Sequence, residues 1–182
     1  MSARNHDNRK LQEPFVRLVA ALAVASAGLA STAGVAVAEE GTFRLLLSLV
    51  RDFTTFEHAG DLVTGGALEG TSTILESSGD PFVEGTDSKV ACIALVRASK
   101  AGIDLEAPCT ITDGEGDHMY VLAKRRSGTI EGGGGGDGRY EIMGGTGKFA
   151  DVRGNCPYDT EYLKDSLHLV TRTKCTWHRV SP

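Results

Sequence analysis

The chain has 182 residues and carries 19 Lys and Arg against 24 Asp and Glu, a formal net charge of −5. That balance leaves no basic footprint for nucleic acid or for an anionic membrane surface. The charges are spread along the sequence in the manner of a solvated exterior, and no acidic or basic tail stands apart.

The first expected element is an export signal over residues 1–38. Arg4, Arg9, Lys10 and Arg17 make a basic start. Leu18 to Ala38 is uncharged, and it closes on Ala36-Val37-Ala38, the small-x-small pattern that a signal peptidase accepts. A 21-residue uncharged run is also long enough to span a bilayer as an anchor. Its Ala, Gly and Ser content makes it weakly hydrophobic, and the Ala-x-Ala end favours cleavage. No cysteine directly follows it to accept a lipid. Processing after Ala38 would leave residues 39–182 as a single domain, with 15 basic residues against 22 acidic ones. No later run is apolar enough to cross a membrane, so the mature form is expected to be periplasmic or secreted, without a membrane segment.

The exported part reads almost entirely as strands. The candidates in chain order are Phe43 to Phe53, Ala67 to Glu76, Lys89 to Arg97, Ile103 to Thr112, His118 to Lys124, Arg139 to Met143, Lys148 to Val152 and Leu167 to His178. Glycine-bearing breaks separate most of them, which is the signature of a sandwich or a barrel. The Leu run within Phe43 to Val50 is equally compatible with a helix by periodicity alone. Gly132 to Gly136 has the composition of a mobile loop. Tyr140 to Gly154 reads as an antiparallel hairpin reversing at Gly144-Gly-Thr-Gly147, where glycines take positive φ at no steric cost.

Alternation assigns faces. Ile103, Leu105, Ala107, Cys109 and Ile111 form an apolar row, with Asp104, Glu106, Thr110 and Thr112 opposite. Cys92 must then face inward with Val90, Ala94 and Val96. That leaves Ala91, Ile93 and Leu95 as an outward apolar row, to be covered by the N-terminal segment or by another subunit. Cys175 shares a face with Leu169, Thr173 and Trp177. Of Tyr140 and Glu141, one must point inward, and Tyr140 is the one expected to. Trp177 and Tyr140 are therefore candidate cavity-wall residues.

All four cysteines lie after residue 38. In a hairpin, facing residues share a constant sum of residue numbers. Cys92 and Cys109 are centred on Lys100-Ala101, and Cys156 and Cys175 on Asp165-Ser166, both at plausible reversals. Facing strand residues lie within disulfide reach. The pairs Cys92–Cys109 and Cys156–Cys175 are thus expected as cross-strand links. Spacings of 17, 47 and 19 show no closely paired ligands for zinc.

Other chemistry is thin. Lys148 lacks the upstream glycine and the following Ser or Thr of a phosphate loop. Asp113-Gly-Glu-Gly-Asp117 has His118 and Lys124 where a calcium loop needs Gly and Glu. His58, His118, His168 and His178 are scattered, and no Gly-x-Ser-x-Gly elbow occurs. No metal or cofactor is expected, and no catalytic residue can be named.

Glu141-Ile-Met-Gly-Gly-Thr-Gly-Lys-Phe-Ala-Asp-Val-Arg-Gly resembles the Gly-Gly-Thr-Gly-Lys-Phe hairpin of allene oxide cyclase-like and dirigent-like barrels, and Leu68-Glu-Gly-Thr-Ser-Thr looks like their early strands. From Gly66 to Trp177 the chain resembles the exported bacterial proteins grouped as allene oxide cyclase barrel-like. That resemblance implies an all-β, eight-stranded antiparallel barrel with an apolar cavity, and homo-oligomers, trimers among them. The function expected on this basis is a small apolar-ligand-binding or structural module. The alternative is an isomerase or cyclase acting in the cavity.

Overall fold

Alternation of inward and outward side chains, clearest in β3, β4, β5 and β8, accompanies eight strands, and each pairs with the next in sequence. In the computed structural model, which describes residues 39–128, 135–164 and 166–181, they are β1 (Glu40–His58), β2 (Asp61–Ser77), β3 (Asp87–Ser99), β4 (Gly102–Thr112), β5 (His118–Arg125), β6 (Gly135–Gly145), β7 (Val152–Tyr162) and β8 (His168–Arg179). All neighbours are antiparallel, and β8 returns to β1 to close the barrel, with Phe43 facing Cys175. Closure removes most of the unpaired strand edge that an open sheet would carry. The proposed signal segment and residues 129–134 lie outside the described residues.

The ambiguous Leu run is strand. Leu45, Leu47 and Leu49 are buried, Arg44, Ser48 and Val50 are exposed, and the run pairs with both β2 and β8. Two ladders satisfy every second backbone group on each side, and a helix would have had only its own bonds. Gly70 marks a close approach between strands. A Cβ there would stand 2.1 Å from the Ser48 carbonyl oxygen, so no side chain fits.

The expected faces of β3 and β4 are as read. Cys92 faces Cys109 directly, and the bond between them is formed. Cys156–Cys175 is formed as well, within a β7–β8 register in which Asn155 faces Thr176 and Tyr158 faces Thr173. Ala91, Ile93 and Leu95 are exposed, Ile93 to 63%.

Two expectations fail. Lys148 to Val152 is not a strand; Gly147–Phe149 forms one turn of 3-10 helix, and β7 begins at Val152. Local hydrogen bonds divert the backbone there. Lys148 N–H donates to the Asp117 carboxylate at 3.1 Å, and Phe149 N–H to the Thr146 carbonyl at 2.9 Å. The β6–β7 reversal is therefore longer than a tight glycine turn. Gly144, at φ 105°, instead sits at a bulge, where Tyr120 faces Gly144 but Val121 faces Ile142. The second failure is in the glycine loop: Gly135 and Gly136 already belong to β6.

The two ends of the barrel differ. At one end the β2–β3 connection turns inward and drives Phe82 into the opening, leaving it 2% exposed. Its ring stacks on Phe43 at 3.8 Å and meets Trp177 and Phe149 at 5.6 and 5.7 Å. The connection is clipped to β2 by the Ile74 N–H donating to the Thr86 carbonyl and the Gly85 N–H donating to the Ile74 carbonyl. At the other end β1 runs on past β8, while β2 stays paired with β3 as far as Leu62 facing Ala98.

Candidate functional site

The polar groups of the lumen gather at the end away from Phe82. Parity places them there. β5 runs Met119, Val121, Ala123, Arg125 on its inner face, and β7 runs Cys156, Tyr158, Thr160, Tyr162. Arg125 is only 2% exposed. Its guanidinium carbon lies 5.9 Å from the centre of the Tyr162 ring, and that of Arg51 lies 5.1 Å from the same ring. Tyr140 and Tyr158 are tilted against each other at 4.5 Å. The Thr160 and Thr171 hydroxyls share a hydrogen bond of 2.8 Å.

Arg125, Tyr140, Tyr158, Tyr162 and the two threonines surround a cavity of about 30 Å³, whose wall is completed by Leu49, Leu105 and the Cys92–Cys109 disulfide. That volume suits one or two water molecules. A second, wholly apolar space of about 10 Å³ lies deeper, between Leu47, Ile111, Met119 and the Cys156–Cys175 bond. Tyr140 lines both spaces. Trp177 is 3% exposed and stands in the aromatic plug at the opposite end.

Burial sets the protonation of the phenols. It pushes the Tyr140 hydroxyl up, and the neighbouring Tyr158 adds to that rise. Burial likewise pushes Tyr158 up to about 12, against the opposing pull of Arg125. Both are therefore phenols at neutral pH, able to donate a hydrogen bond but poor as bases. Among the described residues lining the cavity there is no carboxylate or imidazole.

A second polar cluster lies at the plugged end. Asp113, Glu115 and Asp117 bring carboxylate oxygens within 4.8 Å of one another. Lys148 Nζ sits at 2.5 Å from Asp113 and 3.1 Å from Glu115, and the Asp113 carboxylate accepts N–H groups of Glu115 and Asp117. The cluster ties the β4–β5 turn to the 3-10 turn. Burial alone would raise the Asp113 carboxyl, but the Lys148 ammonium and the two backbone donors outweigh it and hold it below its ordinary value. A carboxyl depressed by folding adds stability above its unfolded pKa, and that stability is lost as pH falls through the folded value. Lys148→Met is thus expected to lower the melting temperature at neutral pH. The gap from the parent should close as pH falls through the carboxylate range, and parallel thermal melts from pH 7 to pH 3 would reveal it. A gap that stays constant with pH would refute the ion-pair account.

Tyr140 points inward, as the alternation leads one to expect, whereas Arg125, Tyr158, Thr160 and Tyr162 are not singled out by the sequence. The signal for Arg125 was the inward row ending at Ala123. For the β7 residues it was parity with Cys156.

No protein-family model matches the chain, and no curated protein matches it. Among solved structures it is similar to a pterocarpan synthase dirigent protein. The identity is 14% and the TM-score 0.47, over 79% of this chain and 90% of that one.

Proposed function

We propose that the barrel binds a small, largely apolar molecule carrying an acceptor oxygen, at the lumen end lined by Tyr140, Tyr158, Tyr162 and Arg125. One observation carries this reading: the lumen is asymmetric. One end is filled by four interlocked aromatic rings, while the other collects the phenols, hydroxyls and the guanidinium around a residual space. A few convergent polar groups in an apolar setting are the usual make-up of a ligand site. The Gly-Gly-Thr-Gly-Lys-Phe resemblance to allene oxide cyclase-like and dirigent-like barrels fits the same reading. A ligand larger than water requires side chains at this end to swing aside, because the present space is about 30 Å³. An isomerase or cyclase here would have to work through protonated phenols as acids.

Isothermal titration with small cyclic ketones and aryl ethers tests the proposal. Binding is expected, and Tyr140→Phe is expected to weaken it by about tenfold, the worth of one buried hydrogen bond. The small cavity favours a second reading, in which the barrel is a stable module with a filled core. Absence of binding by the whole panel, and of any co-purified ligand in native mass spectrometry, would establish that reading instead.

The two buried disulfides suit an oxidising compartment, and export to the periplasm or exterior is the reading we adopt. The exposed row of Ala91, Ile93 and Leu95 supports self-association, with a trimer as the form implied by the family resemblance.

A further inference from the structure

Strand β1 outruns its neighbour on one side. Its last link to the β8 side is the Arg51 N–H donating to the Leu167 carbonyl at 3.0 Å. On its other side it stays paired with β2 as far as His58 facing Asp61. Backbone direction alternates along a strand, and the only register shift between β1 and β2 lies back at Arg44/Leu45. The N–H and C=O groups of Phe53, Thr55 and Glu57 therefore point the same way as those of Arg51, out of the sheet edge. Among the described residues they have no backbone partner.

Proteins usually blunt such an edge with lysine, proline or a bulge. Asp52-Phe-Thr-Thr-Phe-Glu-His58 has no lysine and no proline, its charged side chains being Asp52 and Glu57, and its pairing with β2 is regular throughout. Phenylalanine and threonine favour strand, and Phe56 is 55% exposed.

We infer that this edge pairs antiparallel with the same edge of a second copy of the chain, about a two-fold axis at Thr55. Thr55 then faces its own counterpart, and Phe53 faces Glu57 of the other copy. In this register every outward group from Phe53 to Glu57 is matched on both copies. Sliding the copies by two residues either leaves one of these groups unmatched or calls on Arg51, whose N–H is already engaged by Leu167. The same register sets the Asp52 carboxylate opposite the His58 imidazole, an acceptor against a donor, on the outer face. A two-fold contact of this kind is isologous and closes on itself, so it yields a dimer and not a fibre. The inference is independent of the lumen ligand and of the exposed row on β3.

Sedimentation equilibrium of the purified, disulfide-bonded protein tests it. The parent is expected to dimerise in the micromolar range. Thr55→Pro should weaken the dimer by about tenfold or more, since proline removes the central N–H from both copies. That N–H is not part of the β1–β2 ladder, so folding should survive. Thr55→Pro also removes the Thr55–Thr64 hydroxyl contact. Glu57→Pro lacks that side effect and should weaken the dimer as well. Near-UV circular dichroism confirms that each variant is folded. A monomeric parent, or association unchanged in both folded proline variants, overturns the proposal. So does a dimer lost in Ile93→Lys/Leu95→Lys but kept in both proline variants.

Discussion

Phe82→Ala is expected to destabilise the barrel by about 3–5 kcal/mol, the range for removing a buried aromatic ring. Phe82 is 2% exposed and is the central member of the end plug, touching Phe43, Phe149 and Trp177. Its neighbours cannot collapse to fill the space, because Phe43 and Trp177 are held in paired strands and Phe149 in a turn anchored through Lys148 and Asp117. The melting temperature should fall by roughly 10–15 °C for a domain of this size. Urea unfolding should show a lower midpoint with little change in slope. Val83 is next in sequence but 52% exposed, so Val83→Ala should shift stability by no more than about 0.5 kcal/mol. If the two variants have similar stability, Phe82 is not the plug described here. Trp177 is the single tryptophan and packs against Phe82, so its fluorescence should change in the Phe82 variant even at temperatures where the protein remains folded.

The second large effect concerns the disulfides. Cys156→Ala/Cys175→Ala is expected to cost about 3 kcal/mol, chiefly by freeing the unfolded chain. The bond closes a separation of 19 residues, and its two sulfur-bearing residues are 3% and 0% exposed. Both bonds lie inside the barrel, so reductant without denaturant should release few thiols, while reductant with denaturant should release all four. Peptide mapping without reduction should recover the 92–109 and 156–175 links. Free thiol titrating rapidly in the native protein would contradict the buried placement. So would a variant as stable as the parent in chemical unfolding.

These predictions draw on different levels of the sequence. The disulfide pairing was legible because a hairpin has one arithmetic rule. Residues that face each other share a sum, and Cys92 with Cys109 straddles the Lys100-Ala101 turn between β3 and β4. The faces of β3, β4 and β8 were legible for the same reason, since a period of two admits only two assignments and the cysteines choose between them. β7 was less visible. Gly154 and Pro157 interrupt its β-forming pattern, and the strand survives because its partners β6 and β8 both lend it ladders. The cross-strand pairing of Cys156 with Cys175 already requires strand there, but the pattern sets no range for it, and Tyr158, Thr160 and Tyr162 do not stand out although Cys156 fixes their side of the sheet.

The composition, the alternation and the cysteine spacing by themselves determined an all-β chain with two cross-strand disulfides and an apolar interior, because these follow from local geometry along one or two adjacent strands. The tertiary structure alone decided three things. It turned the connection around Phe82 into a plug, it gathered Arg125 and the tyrosines at the opposite end, and it left the far end of β1 paired with β2 but, among the described residues, with no backbone partner on its β8 side. Each depends on which strands meet across the closed barrel and how far each one runs. Strand length and closure are set by the register of all eight strands together, and no short stretch of sequence carries that information.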